Sequence, residues 1–143
     1  MEIRLVASGE RRAVLEASPL FDDAAHPEFA QRFLESVGHH LFIAYDAGAP
    51  VGFVSGVEMT HPDKGTEMFL YELAVAEPFR RRGIATALVS ALRDLAKGRG
   101  CYGMWVLTDE DNAAARATYA ATEAATPTRH LMFSWAFGRP NPD

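Results

Sequence analysis

One cysteine, Cys101, is all that the 143 residues contain, so neither an internal disulfide nor a cysteine-built metal cluster can form. A reducing cytoplasm is the compartment this favours. Long apolar runs are missing too. None approaches the roughly 20 residues that cross a bilayer, which argues against a membrane partner. The opening residues MEIRLVASGERR alternate charge and apolarity and lack the core of a signal peptide. Positive charge is in deficit, with 14 Lys and Arg against 19 Asp and Glu. The net charge of -5 disfavours a nucleic-acid partner and is compatible with a cationic substrate. There is no G-x-x-x-x-G-K-[ST], which excludes the common nucleotide-hydrolysing phosphate loop. No G-x-G-x-x-G follows a strand, which excludes the usual dinucleotide fold. His26, His61 and His130 show no metal-ligand spacing, and no metal is expected.

What is present is an ordinary globular composition, 48% apolar and 23% charged, at the length of one domain. We expect a single domain over residues 1–138 and a short tail over 139–143. Residues 2–6 read as a short strand and 9–18 as a short helix. Pro27 suits the first turn of a second helix whose Phe29, Phe33, Leu34 and Val37 share a face before Gly38 stops it. Strands at 41–46 and 51–59 flank the turn residues DAGA as a hairpin, and 67–75 is a third long strand. Ile84, Leu88, Ala91, Leu92 and Leu95 predict a helix over 83–97, ended by Gly-Arg-Gly. A strand at 102–107, an alanine-rich helix at 113–121 and a last strand at 129–137 complete the order. His39 and His40 follow a helix end, where cationic character suits the helix dipole. Trp105 and Trp135 read as core residues, as does Cys101. The order predicts an α+β domain with a mixed, mostly antiparallel sheet and helices on both faces.

The stretch YELAVAEPFRRRGIATALV, residues 71–89, carries the chemistry. A strand ends, three arginines follow, and Gly83 opens the longest helix. A helix N-terminus presents unpaired N–H groups and partial positive charge, so this junction is suited to a phosphate. It reads equally as a basic loop whose glycine merely permits the turn.

Arg80-x-x-Gly83-x-Ala85, placed after Leu73-Ala74-Val75 and before a long helix, resembles the acyl-CoA signature of the GNAT superfamily of N-acetyltransferases. Asn112-x-x-Ala115-x-x-x-Tyr119, about thirty residues on, resembles its second element. Together with the strand order, the resemblance covers nearly the whole chain and implies the GNAT fold. Within the superfamily the chain is most similar to the type I aminoglycoside 3-N-acetyltransferases. That likeness lies in Phe69-Leu70-Tyr71-Glu72-Leu73-Ala74-Val75, in Arg81-Arg82-Gly83-Ile84-Ala85-Thr86-Ala87-Leu88 and in the hairpin LFIAYDAGAPVGFVSG.

The resemblance implies that Arg80, Arg81, Arg82, Gly83, Ala85 and Thr86 hold the pyrophosphate of acetyl-CoA. Backbone groups of Leu73, Ala74 and Val75 would pair with its pantetheine arm, beside a diverging strand at 102–107. Glu72 would be the base, or charge partner, for the amine, and Tyr119 the acid for the departing thiolate. Asn112 would touch the cofactor, or serve only as a helix cap. Each has a plain structural reading as well. Glu72 also fits an exposed glutamate on an alternating strand, sharing its face with Leu70 and Ala74, and Tyr119 fits a core aromatic. Glu67 is a second candidate base that also reads as a solvated strand start. Asp22, Asp23 and Glu28 lie where the superfamily builds its acceptor site, and Asp109, Glu110 and Asp111 form a second acidic group. One departure stands out. Many members carry Gly-Phe where this chain has Glu123-Ala124, so the helix exit and the strand after it could run differently.

The function implied is direct transfer of an acetyl group to the primary amine of a small molecule, first of all an aminoglycoside. The alternatives are a polyamine, an amino acid derivative, a protein amine, or a non-catalytic acyl-CoA-binding module. Family analogy admits a homodimer, though no sequence feature establishes one.

Overall fold

Alternating apolar residues build one five-stranded sheet whose strands stand in chain order. They are β1 (Glu2–Leu5), β2 (His39–Asp46), β3 (Ala49–His61), β4 (Gly65–Val75) and β5 (Met104–Trp105). Neighbours run antiparallel except β4 and β5, which are parallel. Four helices complete the chain: α1 (Arg11–Glu16), α2 (Pro27–Glu35), α3 (Ile84–Gly98) and α4 (Ala113–Ala121). This computed structural model describes residues 1–140, so residues 141–143 of the expected tail lie outside the described residues.

Two apolar clusters, one on each side of the sheet, show that the helices occupy both faces. On one side Ala44, Val54, Met68 and Leu70 meet Ile84, Leu88 and Leu92 of α3. On the other, Leu41, Ile43 and Phe53 meet Val14 of α1, Ala17 and Ala30 of α2. Each fully buried Leu or Ile contributes roughly 1.5–3 kcal/mol relative to exposure. The sheet and α3 approach closely at Gly56, where an added Cβ would lie 2.7 Å from Leu92 Cδ1 and 2.9 Å from Met68 Sδ. The β2–β3 hairpin turns at Ala47 and Gly48, both at positive φ, the geometry that matches strand twist.

Three expectations change. Helix α2 ends at Glu35 and its cap Ser36 is extended, so Val37 stands in solvent instead of on the apolar face. Ala30 is the buried residue of that helix, with Phe33 and Leu34 packed against its cluster. His39 and His40 belong to β2 and not to a helix end. His40 Nε2 lies 2.6 Å from Glu58 Oε2, to which Arg99 Nε also donates at 2.7 Å. Burial alone would raise the Glu58 carboxyl, but these two partners outweigh it and hold it below its usual range.

The third change concerns the C-terminus. Strand β5 has two paired residues where six were expected, and residues 129–137 form no strand. A strand exists through its ladder partner, and among the described residues this segment has none. Trp135 is therefore exposed, not core, and Trp105 is half-exposed with its ring 4.4 Å from that of Phe69. Cys101 packs partly buried against the α3-side cluster, and burial pushes its thiol up.

Candidate active site

The site starts from an irregularity in β4. Ser55 pairs with Glu72 but Gly56 pairs with Leu70, so Tyr71 is an extra residue, a β-bulge. The bulge breaks the period of two. Met68, Leu70, Leu73 and Val75 all face the α3-side cluster, while Ala74 packs with Phe53 on the other side. Leu70 and Ala74 thus do not share a face, contrary to the simple alternation expected around Glu72. Tyr71 is left exposed beside Phe69, ring to ring at 5.5 Å. The N–H of Glu72 donates to Ser55 Oγ at 3.2 Å.

Beyond the bulge the sheet opens. Strands β4 and β5 pair only at Met68–Met104 and Phe69–Trp105, and then diverge. A cavity of about 290 Å³ fills the gap. Tyr71, Glu72, Leu73 and Ala74 form one wall, and Val106, Leu107 and Thr108 form the other. Asn112, Ala115 and Tyr119 of α4 close one end, and Leu20 and Asp22 from the α1–α2 connection contribute as well. Glu72, Leu73, Ala74, Asn112 and Tyr119, all singled out from sequence, therefore meet in one place.

The electrostatics distinguish these groups. Burial, and then the nearby Asp22 charge, push the Glu72 carboxyl above its ordinary value. Much of its surface nevertheless stays open to the cavity. Burial against the α3-side cluster pushes the Tyr119 hydroxyl up. Asn112 is a true N-cap, its Oδ1 accepting the Ala115 N–H at 3.1 Å, and it lines the cavity at the same time.

Val75, Arg80, Arg81, Arg82, Gly83, Ala85 and Thr86 lie outside the cavity wall, where the end of β4 leads through a 3-10 turn (Glu77–Phe79) into α3. Gly83 is the residue before the helix, at φ 79°, and a Cβ there would touch nothing. Its requirement is conformational rather than steric. No side chain caps α3 and no acidic residue stands in its first turn, which suits that end to an anion. Arg80 Nε donates to Val75 O at 3.0 Å, tying the loop to β4. The Arg82 guanidinium lies 5.0 Å over the Phe79 ring. Arg81 holds a positive φ of 64°.

Glu67 lines no part of this cavity. Tyr102 donates to it at 2.5 Å and Trp105 Nε1 at 2.9 Å, and the Tyr102 bond holds its carboxyl below the usual range. Of the acidic loop residues, Asp22 reaches the cavity, Asp23 pairs with Arg139 and Glu110 pairs with Arg129 at 2.6 Å. Glu28, Asp109 and Asp111 are exposed and line no part of it.

The exit of α4 runs as a glycine-containing exit would. Glu123 takes φ 68°, its N–H reaches Ala120 O, and the Ala124 N–H reaches Tyr119 O. That pair of bonds is the Schellman termination, built here on a non-glycine residue.

Sequence reasoning missed Tyr71, Ser55, Phe53 and Leu20. A signal for the bulge existed in the apolar spacing of two, three and two across Met68, Leu70, Leu73 and Val75.

Comparison with known proteins agrees with this architecture. Residues 10–122 match the acetyltransferase (GNAT) family, and the chain belongs to that family. A relative, L-2,4-diaminobutyric acid acetyltransferase of Streptomyces coelicolor, is 31% identical over 93 residues, 62% of this chain. The match spans 54% of that protein, so the chain accounts for about half the length of this relative. Among solved structures, an aminoglycoside acetyltransferase from an uncultured soil metagenomic sample is 27% identical, with TM-score 0.79 over 94% of this chain and 98% of that one. Aminoglycoside N-acetyltransferase AAC(6')-Iy, bound to the bisubstrate analogue CoA-S-monomethyl-acetylneamine, has TM-score 0.79 at 20% identity, covering 94% and 97%. No helix among the described residues is long and apolar enough to cross a membrane.

Proposed function

We propose that the chain transfers an acetyl group from acetyl-CoA to a primary amine of a small polycationic molecule by direct attack. The observation that carries this reading is the meeting of Glu72 and Tyr119 on one cavity at the β4–β5 splay. The free backbone of Leu73, Ala74 and Val75 would pair with the pantetheine arm, as an added strand pairs with a sheet edge. The uncapped start of α3, with Arg81, Arg82, Gly83, Ala85 and Thr86, would take the pyrophosphate, and Arg80 would hold that loop to β4. Asn112 would orient the acyl end.

An alkylammonium has a pKa near 10, so it must lose a proton before it can attack. Glu72, directly or through a water, accepts that proton. The amine nitrogen then bonds to the thioester carbonyl carbon, the C–S bond breaks, Tyr119 gives its proton to the departing sulfur, and the proton that the nitrogen sheds on becoming an amide returns, through water, to the tyrosinate. Asp22 and Glu72 together offer a site for a second cationic group of the acceptor. The single cysteine fits a reducing cytoplasm.

An aminoglycoside is the first acceptor to test, supported by the 27% identical structure. The resemblance of residues 69–88 points to its 3-amino group. A diamino acid is the second reading, favoured by the Streptomyces relative. The alternative of a non-catalytic CoA-binding module rested on Glu123-Ala124, and the ordinary helix exit there weakens it. Thiol release from acetyl-CoA should be measured across aminoglycosides, diamino acids, linear polyamines and peptide N-termini. Turnover with an aminoglycoside, and NMR of the product at the 3-position, is the expected result. Turnover with diamino acids alone would favour the second reading. CoA binding with no acetylated amine would favour the module, and absence of CoA binding would end the proposal.

A further inference from the structure

A strip of aromatic rings lies in the open on the sheet face that carries Glu72. Met68, Leu70 and Leu73 face the α3-side cluster, so Phe69 and Glu72 face the other way, toward the α1–α2 connection. Phe69 and Trp105 stand opposite each other on β4 and β5, with ring centroids 4.4 Å apart. The bulged Tyr71 extends the row, its ring 5.5 Å from that of Phe69. Tyr71 is 61% exposed and Trp105 39%. An aromatic cross-strand pair stabilises a sheet by itself, which accounts for Phe69 with Trp105. It does not account for Tyr71, which the bulge turns out of the ladder and onto the wall of the cavity.

The strip is also held in place. Trp105 Nε1 donates to Glu67 Oε1 at 2.9 Å, the Tyr102 hydroxyl donates to Glu67 Oε2, and His61 Nε2 lies 3.5 Å from Oε1. The carboxylate therefore fixes the indole and sets a negative charge beside it.

Placement decides what the strip can meet. Tyr71 and Leu107 both line the cavity, and Leu107 stands two residues beyond Trp105, so the strip begins at the cavity mouth. On the reading above, CoA leaves Glu72 in the opposite direction, along Leu73-Ala74-Val75 toward the start of α3. The cavity, at about 290 Å³, is at the small end of the range that holds drug-sized ligands. It has to take the thioester end of acetyl-CoA together with the reacting amine, which leaves a second ring of the acceptor outside it. The way out that avoids the cofactor runs over Tyr71, Phe69 and Trp105. Aromatic faces attract an ammonium within about 6 Å of the ring centre, and they pack against the C–H face of a saturated ring by dispersion.

We propose that Tyr71, Phe69 and Trp105 form a stacking subsite for a second, ammonium-bearing ring of the acceptor, with Glu67 as the positioning residue that holds the indole. The inference rests on the acetyltransferase reading and narrows its substrate class. A diamino acid held at Glu72 stops short of the strip, whereas an amino sugar of two or more rings reaches it.

The test compares neamine, which has two rings, with its one-ring fragment 2-deoxystreptamine. The quantity read is the preference, the ratio of the two kcat/KM values. Tyr71→Ala and Trp105→Ala should each cut the preference for neamine by about 3- to 10-fold, through KM and not kcat. Trp105→Phe should restore most of it. Glu67→Leu should lower the preference as well, and Glu67→Gln, which keeps an oxygen for the indole N–H, should recover it. Trp105 and Trp135 are the two tryptophans, so a Trp135→Phe chain reports on Trp105 alone. With CoA bound, neamine should change the indole emission and 2-deoxystreptamine should leave it as it was. Variants that weaken both acceptors equally would show cross-strand packing alone and overturn the subsite. Indole emission unmoved at saturating neamine would overturn it too. In either case, acetylation of both amines by the parent chain would leave the acetyltransferase reading standing. A parent that acetylates no amine would end that reading and the subsite with it.

Discussion

Ser55 Oγ accepts the backbone N–H of Glu72 at 3.2 Å, at the point where β4 carries one residue more than β3. Ser55 is buried, so its hydroxyl provides for a donor that the bulge removes from the regular ladder. Ser55→Ala should destabilise the fold by about 1–2 kcal/mol, the cost of stranding a part-buried donor. It should also raise KM for the amine, since Glu72 loses the tether that fixes its direction, while CoA affinity is retained. Urea titration and separate titrations of the two substrates read these effects. An unchanged KM alongside the stability loss would confine Ser55 to a structural role.

Glu72 predicts the acid side of the pH profile. Burial, then Asp22, raise its pKa, so the carboxylate able to accept a proton appears only above the ordinary glutamate range. Turnover should therefore fall on acidification earlier than a free carboxylate would dictate. Asp22→Asn removes one like charge and should move that limb to lower pH. Glu72→Gln should lower kcat by about 10²-fold or more, the usual contribution of a positioned base, with CoA affinity nearly intact. Stability should move the other way. The folded carboxyl binds its proton more tightly than the unfolded one, so its ionisation costs stability as pH rises through the raised pKa. Glu72→Gln should match the parent in acid and exceed it at neutral pH. A variant less stable than the parent at neutral pH would contradict this account.

The chain order of strands β1 to β5 and of the four helices was legible, α2 and α3 through their apolar spacing and α4 through its cap and alanine content. Helix α4 falls on its expected residues, 113–121. The bulge at Tyr71 was harder to see, since a strand and a bulged strand differ by one residue in the spacing of buried positions. Residues 129–137 show the limit from the other side. Their alternation is that of a strand, yet a strand also needs a neighbour, and pairing is decided by distant parts of the chain. In the site, Glu72 was legible as the carboxylate that interrupts an apolar strand just before Leu73-Ala74-Val75, and Tyr119 through its spacing from Asn112. The partners that set their chemistry, Asp22 and Ser55, come from other elements and carry no motif.

Tyr119 predicts the alkaline side. Burial raises its hydroxyl above the ordinary 10.0, so it remains protonated across the neutral range and well into alkali. As an acid it should impose no fall in kcat below about pH 10, the ordinary tyrosine value. Tyr119→Phe should lower kcat and leave the affinity for CoA close to that of the parent. A retained kcat with poor thiol leaving groups would leave Tyr119 as packing alone. A loss of CoA affinity would likewise remove its assignment as the acid.

Glu123 predicts a stabilising change. It sits at φ 68° at the end of α4, a conformation that costs a residue with a Cβ roughly 1–2 kcal/mol. Glycine adopts it freely, though glycine also gives the unfolded chain about 0.5–1 kcal/mol of extra entropy. Glu123 makes one contact in return, a 3.5 Å approach of Oε2 to Arg93 Nη1. The carboxylate is well exposed, so that pair is worth about 0–1 kcal/mol. Arg93 keeps its stronger partner regardless, donating to Thr122 O at 3.0 Å. Glu123→Gly should therefore raise stability by about 0.2–0.3 kcal/mol, the remainder once strain relief is set against entropy and the lost pair. Glu123→Ala keeps the strain and loses the same pair, so it should be neutral or slightly destabilising. Denaturation midpoints of the two variants read the difference. Equal midpoints would mean that the left-handed residue at this helix exit carries no strain for glycine to relieve.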